Sequence, residues 1–454
     1  MTHGNKVVTT YSYDAASQLL SLAHKLGAAT VNSFSYNYDK VGNRTAKTDR
    51  NGVANYTYDT LNRLVQATNP LPTNPLESFT YDEVGNRVNS NQNGASVFNQ
   101  ANQLTEDSSF TYQYDANGNL TRKTAKVGGP LTSYEYDAEN KLARVVSNGT
   151  VADYRYDGLG RRVEKQVTQG PTANVTRFIY DNEDILLELD GSNNITARYT
   201  HGPGIDEPLI MEKGGASFFY HADGLGSITE ITDTAGVVKQ QYTYSSFGKI
   251  ESQLDSSFIQ PYTFTAREFD PETGLYFYRN RVLDPLAGRF TSEDVIFDLN
   301  RYAYVKNNPI RLTDPLGLKE CPDCPSGIWN THSTLNLSLF IVYGKAGGIV
   351  SFTCEGSNRQ CVGSVTCWAI GPIVAAGVEL IGAGLTVAGT SAADLEGTSI
   401  GYVSSFGPIS GTLTFGTTTT GGTSTSGGIS FAKSIGLGIG FYKCETKIYG
   451  CIGR

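Results

Sequence analysis

Seven cysteines are among the residues of this chain whose type and spacing could do chemistry: Cys321, Cys324, Cys354, Cys361, Cys367, Cys444 and Cys451. The first 320 residues contain none. Cys321-x-x-Cys324 with Cys354 and Cys361 could hold a zinc ion, but the second Cys-x-x-Cys of a four-thiolate site is missing. Disulfides formed in an oxidising compartment, with one thiol left over, suit a loop-rich and glycine-rich segment better, and this is the favoured reading. Redox catalysis by Cys-Pro-Asp-Cys ranks third, because no βαβ pattern surrounds it. His332, the one histidine of the same region, makes no triad or metal cage with the scattered acids and reads as a surface or capping residue. No cofactor is implied.

The cysteines follow a break in composition near residue 318. Residues 319–454 hold seven Lys/Arg and seven Asp/Glu, so the whole net charge of −8 belongs to 1–318. The same segment carries 25 of the 50 glycines. An acidic balance argues against nonspecific affinity for nucleic acid or anionic membrane. The chain opens MTHGNKVVTTYSYD, with no apolar run, so synthesis in the cytoplasm without an N-terminal signal peptide is expected. Within the tail, SLFIVYGKAGGIVSFTC and GPISGTLTFGTTTT predict strands punctuated by glycine, and hence a mainly β domain. The run GTTTTGGTSTSGG (416–428) fits either a flexible loop or a Thr-rich hairpin. Residues 369–390 form a 22-residue apolar stretch, long enough to span a bilayer. Glu379 at its centre would cost roughly 2.5–3 kcal/mol there. Pro372 and five glycines weaken it further as a helix. Small residues such as Gly377 and Gly384 could let helices associate. Buried strands explain the same letters, and membrane action by the tail stays open.

The elements before the break repeat. YSYDAASQL begins at 11, YNYDKVGNR at 36, YTYDTLNRL at 56, FTYDEVGNR at 79, YQYDANGNL at 112, YEYDAENKL at 134, YRYDGLGRR at 154 and FIYDNEDIL at 178. A period just above twenty residues fits one β-hairpin per repeat. Tyr36 and Tyr38, two apart, share one face of a strand. Asp39 and Gly42 fit the first and fourth positions of a type I turn. The returning strand carries Arg or Leu opposite the aromatic pair. A single hairpin buries little, so neighbours must stack to complete a core. The tyrosines could instead bind glycans, but both tryptophans lie in the tail (Trp329 and Trp368), and packing is the favoured role.

Y-x-Y-D-x-x-G-R/N-L resembles the YD repeat of RHS proteins and of the C subunits of insecticidal toxin complexes. Residues 218–318 resemble the RHS repeat-associated core, through FFYHADGLGSITEITD, YTYSSFGKI, GLYFYRNRVLDPLAGRFTSED and NRYAYVKNNPIRLTDPLGL. The resemblance implies a mostly β fold, a strip of hairpins that winds into a hollow cocoon, here a partial shell. Three segments follow from it: YD/RHS repeats over 1–217, the core over 218–318, and a variable C-terminal effector over 319–454.

In that family the core is a self-cleaving aspartyl protease. Two close carboxylates cannot both ionise, so one serves as acid and the other as base. The matching residues are Asp294 and Asp314, and the implied scissile bond is Leu318–Lys319. Asp294 is followed by Val295 where the toxin-complex form has Pro-x-Gly, which makes Asp284 the substitute candidate. Arg289 would orient or charge-balance a carboxylate, or be a solvated turn residue. Asp-Pro also occurs at 270–271 and 284–285, so a plain turn-forming role for Asp314–Pro315 stands beside the catalytic one. The resemblance further implies a cognate immunity protein, secretion or delivery machinery, and export to the cell exterior or into a target cell. The rival reading is a non-enzymatic cell-surface or carbohydrate-binding module, or a silent, displaced RHS cassette.

Overall fold

The computed structural model describes residues 1–296 and 298–318, together with the backbone of the strands within 319–454. The repeat dictates its own local structure. The strand Ala29–Tyr38 enters a turn in which the Gly42 N–H donates to the Asp39 carbonyl (3.1 Å) and the Asp39 N–H donates to the Asn43 carbonyl (2.9 Å). The Asp39 carboxylate accepts the N–H groups of Val41 (2.9 Å) and Asn43 (2.8 Å), which would otherwise point into the loop unpaired. Position 42 has a φ of +83°, the left-handed region, and its equivalents are Asn62, Gly85, Asn102, Gly118, Asn140 and Gly160. A type I turn closed by a left-handed residue is a three-residue hairpin loop, and that conformation selects Gly or Asn.

The two aromatic positions do different work. The first, whether Tyr or Phe, is buried at 36, 56, 79, 112, 134, 154 and 178. The second is always tyrosine, and at five positions its hydroxyl crosses to the preceding hairpin and donates to a backbone carbonyl. Tyr38 bonds Leu19 (2.8 Å), Tyr58 bonds Arg44 (2.6 Å), Tyr81 bonds Leu64 (2.6 Å), Tyr156 bonds Leu142 (2.8 Å) and Tyr180 bonds Arg162 (2.9 Å). Phenylalanine could fill the space but not the bond. Arg and Leu stand opposite the second tyrosine, as in Tyr38↔Arg44 and Tyr58↔Leu64. Among the repeat aromatics only Tyr11 and Tyr13, in the first hairpin, are exposed.

Each strand pairs antiparallel with its sequence neighbour. Nine strands run from Val7–Tyr13 to Gly94–Ala95, and sixteen from Val97–Phe98 to Ile250–Gln253. The strip therefore continues past residue 217, where Pro208–Lys213 pairs with Ala216–Ala222. Its two ends come together. Asn32 donates to Glu230 (2.7 Å), and the Ser246 hydroxyl donates to Glu77 (2.6 Å).

The segment after the strip fills it. Phe264, Tyr276, Tyr278 and Tyr304 pack with Tyr56, Leu64 and Phe79 of the early hairpins. Leu275 and Phe277 pack with Tyr112, Tyr134 and Tyr154, and Tyr262 with Tyr199 and Tyr220. Within the segment, four short strands (Glu268–Asp270, Leu275–Tyr278, Arg281–Asp284 and Arg289–Phe290) form a separate sheet.

Residues 319–454 make a second compact unit. Its eight-stranded antiparallel sheet centres on Gln360–Ile370 and Gly438–Ile452. Register sets Cys361 opposite Cys451 and Cys367 opposite Cys444, with Cys354 opposite Trp329. His332 stands opposite Gly384, and Glu379 opposite Lys433. Cys321, Cys324 and Lys319 lie outside the described residues. Thr412–Thr417 pairs with Ser426–Ser430, and residues 418–425 of the Thr-rich run lie outside the described residues. The apolar stretch 369–390 contains the strands Val378–Glu379 and Ala383–Gly389. Among the described residues no helix is long and apolar enough to cross a membrane.

Candidate active site

Leu275–Tyr278 and Arg281–Asp284 form a tight hairpin whose corner, Arg279–Asn280, holds Arg279 at a φ of +57°. The corner and the first residue of the return strand receive the DPLGL segment. Arg279 Nη1 donates to the Pro315 carbonyl, and Asn280 Nδ2 to the Leu316 carbonyl (3.0 Å). Arg281 Nε donates to the Gly317 carbonyl, and Arg281 Nη2 to the Leu318 carbonyl (3.2 Å). Four successive carbonyls are thus held by three successive residues. Gly317 has a φ of +66°, and a Cβ there would collide with the carbonyl oxygen of Tyr278, so this position in the motif must be glycine.

The same guanidinium joins the two carboxylates. Arg281 Nη2 lies 2.7 Å from Asp294 Oδ2 and 3.3 Å from Asp314 Oδ2. The two oxygens share one nitrogen, so they are no more than 6.0 Å apart. Asp314 Oδ1 accepts the Leu318 N–H (2.9 Å), closing a turn whose Gly317 N–H donates to the Asp314 carbonyl (3.3 Å). Asp314 is therefore both a turn former and a neighbour of the Leu318 carbonyl. The Asp294 N–H donates to the Arg301 carbonyl (2.9 Å), Arg301 Nε donates to the Asp294 carbonyl (2.7 Å), and Asp294 Oδ1 accepts the Ile296 N–H (2.8 Å). Arg281 Nη1 donates to the Arg301 carbonyl (2.9 Å), and its guanidinium carbon lies 3.6 Å from the Phe290 ring centroid.

All three side chains are buried: Asp314 is 2% exposed, Asp294 6% and Arg281 6%. Arg281 is thus placed between two buried carboxylates. A carboxyl, a carboxylate and a guanidinium around one peptide carbonyl are the groups that acid–base hydrolysis of that peptide requires.

The other nominated residues lie elsewhere. Asp284, three residues from Arg281, emerges on the opposite face of its strand. It pairs with Lys123 Nζ (2.7 Å) and caps the N–H groups of Leu286 (2.9 Å) and Ala287 (3.1 Å). Burial pushes its carboxyl up, but Lys123 and these bonds more than offset that and hold it below the ordinary value. It is a structural ion pair. Arg289 donates to the Asn102 carbonyl (2.6 Å) and lies over Phe98 and Tyr302, away from Asp294 and Asp314. In the two-residue strand Arg289–Phe290, alternation sends Phe290 beneath Arg281 and Arg289 to the strip. The guanidinium at the carboxylates is Arg281, which the sequence reading passed over. One signal was available: a strand as apolar as LYFY, followed directly by RNRV, must pair its arginines once buried.

Comparison with known proteins accords with this architecture. The family model described as Teneurin YD-shell matches residues 1–314. The tRNA3(Ser)-specific nuclease WapA of Bacillus spizizenii is 34% identical over 281 residues, covering 57% of this chain and 12% of the relative. The double-stranded DNA deaminase toxin A of Burkholderia cenocepacia is 27% identical over 317 residues, covering 62% of this chain and 22% of the relative. The toxin subunit YenC1 of Yersinia entomophaga is 28% identical, covering 70% of this chain and 40% of the relative. The crystal structure of TcdB2-TccC3-Cdc42 superposes over 70% of this chain and 18% of that one, with a TM-score of 0.58 and 23% identity. The chain thus spans well under half the length of each relative.

Proposed function

Since the chain belongs to the Teneurin YD-shell family, as an RHS repeat protein of the toxin type, we propose that its core hydrolyses the Leu318–Lys319 bond and frees residues 319–454 as an effector. The observation that carries this reading is the single Arg281 Nη2 that reaches Asp294, Asp314 and the Leu318 carbonyl together. In the proposed reaction the ionised carboxylate takes a proton from water, and the resulting hydroxide adds to the Leu318 carbonyl carbon. Arg281 stabilises the oxyanion, and the protonated carboxyl gives its proton to the Lys319 nitrogen as the C–N bond breaks. Proton count is conserved across the dyad, which exchanges roles. Asp294 and Asp314 are the acid–base pair and Arg281 the electrophilic partner.

The relatives' names include a tRNA nuclease and a DNA deaminase toxin, so the activity of a freed effector is a property of its own sequence rather than of the shell. Delivery machinery, a cognate immunity protein and export from the producing cell accompany this reading. The likeness to TcdB2-TccC3 adds a toxin-complex partner as the class of assembly to test. Apart from the exposed Tyr11 and Tyr13, the repeat tyrosines are buried or half-buried, which gives little support to a glycan-binding surface along the strip.

Expressed protein should appear as two fragments, the second beginning at Lys319 by N-terminal sequencing. Asp314→Asn and Arg281→Met should each leave one 454-residue band. A wild-type chain that stays intact on prolonged incubation, while folded by circular dichroism, overturns the proposal.

A further inference from the structure

Three of the five histidines of the chain, His3, His24 and His221, meet where the first hairpin lies against residues 216–233, and one ring nitrogen of each lies within 4.8 Å of the others. His24 and His221 are buried, at 3% and 1% exposure, and His3 is half-buried. We propose that His3, His24 and His221 bind a divalent transition-metal ion of the zinc class, which clasps the two ends of the strip together.

The ligand chemistry fits. Three imidazoles at one point are a borderline-soft nitrogen set of the kind zinc takes, with a fourth position left for water or a hydroxyl. Thr9 Oγ1, 2.9 Å from His24 Nδ1 and 3.2 Å from His3 Nε2, stands beside that position. The His24 tautomer is set from outside the cluster. His24 Nε2 faces the Ala222 carbonyl (2.9 Å), which only accepts, so Nε2 carries the hydrogen and Nδ1 keeps its lone pair. His221 Nε2 lies 2.8 Å from Thr232 Oγ1, which also accepts from Asn5 Nδ2 (2.8 Å). That leaves His221 Nδ1 buried with no hydrogen-bond partner, an unusual state for a polar atom in a packed interior. A metal ion would supply the missing partner.

His24 and His221 are buried beside His3, and neutral imidazole is the form that ligates. Zinc–nitrogen bonds of about 2.0–2.1 Å place tetrahedral ligands about 3.4 Å apart. Binding therefore draws the rings closer than the present 4.8 Å spread. Because residues 3 and 24 are some two hundred positions from 221, the ion would cross-link segments that meet only when the strip has turned back on itself.

The test uses the full chain, stripped of metal and titrated with zinc, alongside His221→Gln and His3→Gln. Wild type should bind one equivalent more than either variant, and zinc should raise its melting temperature by several degrees where the variants show no rise. Cobalt substitution separates this site from the tail cysteines: an all-nitrogen site gives d–d absorption without thiolate charge transfer. If His221→Gln fails to fold, His3→Gln decides, because its side chain sits at the edge of the cluster. Equal stoichiometry in wild type and His3→Gln overturns the proposal. So does binding seen only through thiolates, or a wild-type melting temperature that zinc leaves unmoved.

Discussion

The hairpins of the strip and the segment that fills them are built on opposite principles. In the hairpins the backbone largely satisfies itself, and side chains supply mainly apolar bulk and tyrosine hydroxyls, with a few buried charges such as Glu77, Lys123 and Arg162. From Thr265 to Asp314 the backbone is irregular, with Thr265, Ala266, Arg279, Val305, Lys306 and Asn307 all at positive φ. Its interior carries charge: Arg267, Asp270, Arg281, Asp284, Asp294 and Asp314 are all buried. A repeat gains stability by adding near-identical units, whereas buried charges are stable only as complete sets. The groups able to do chemistry therefore collect where the regular pattern stops.

The largest effect expected from this contrast comes from cutting one charge out of such a set. Asp270 binds Arg162, which also holds Glu268 (2.8 Å), and Lys165 (2.8 Å). Asp270→Asn leaves Arg162 underpaired in the interior and should destabilise residues 1–318 by about 3–5 kcal/mol at pH 7, measured by denaturant unfolding. Burial alone would raise the Asp270 carboxyl, but Arg162 and Lys165 reverse that and hold it at about 2 against an ordinary 3.8. Its stabilisation is thus complete above pH 3.8 and lost as pH falls towards 2. The variant should show a flatter loss of stability over that interval. A wild-type slope in the variant would mean that the pair is not a stabilising unit.

Gly317→Ala is expected to come next. The substitution forces a side chain against the Tyr278 carbonyl at a positive φ, costing about 1–2 kcal/mol in backbone strain before any clash. Because the strain falls on the segment beside Leu318, cleavage should slow by tenfold or more while the melting temperature moves little. A loss of stability with an unchanged cleavage rate would separate the segment's packing from the reaction.

The smallest effect belongs to the repeats. Tyr58→Phe removes one hydroxyl bond to the Arg44 carbonyl and should cost about 1 kcal/mol. Combined with Tyr156→Phe, in a distant hairpin, the losses should add, as they do for independent sites. Strong non-additivity would show that the strip behaves as one cooperative body and would erase the contrast drawn above.

How much of this could be read from the letters follows the same division. Tyr-x-Tyr-Asp with Gly or Asn three residues on specifies strand, turn and bulge, since each feature is local. The motif DPLGL likewise pointed to Asp314 and Leu318. What the letters left open was direction. Arg281 and Arg289 are both arginines in short strands, and only packing decides that one turns to the carboxylates and the other to Phe98. The histidine cluster was invisible for a similar reason. Residues 3, 24 and 221 carry no shared motif, and the fold alone makes them neighbours.

The strict neighbour-to-neighbour pairing of the strip has a consequence for how the molecule is made. Each hairpin can form as it leaves the ribosome, because its partner has just been synthesised. The proposed site around Arg281 cannot. It lies in a segment whose last residues reach back to the first hairpins: Asn308 Nδ2 to Asn43 Oδ1, 265 positions earlier, and Arg311 Nη1 to the Val41 carbonyl, 270 positions earlier. Under the proposed cleavage reaction, such wiring would act as an inspector of finished goods. A chain with a missing or misthreaded early hairpin would not complete the proposed site, and residues 319–454 would stay attached to the defective scaffold.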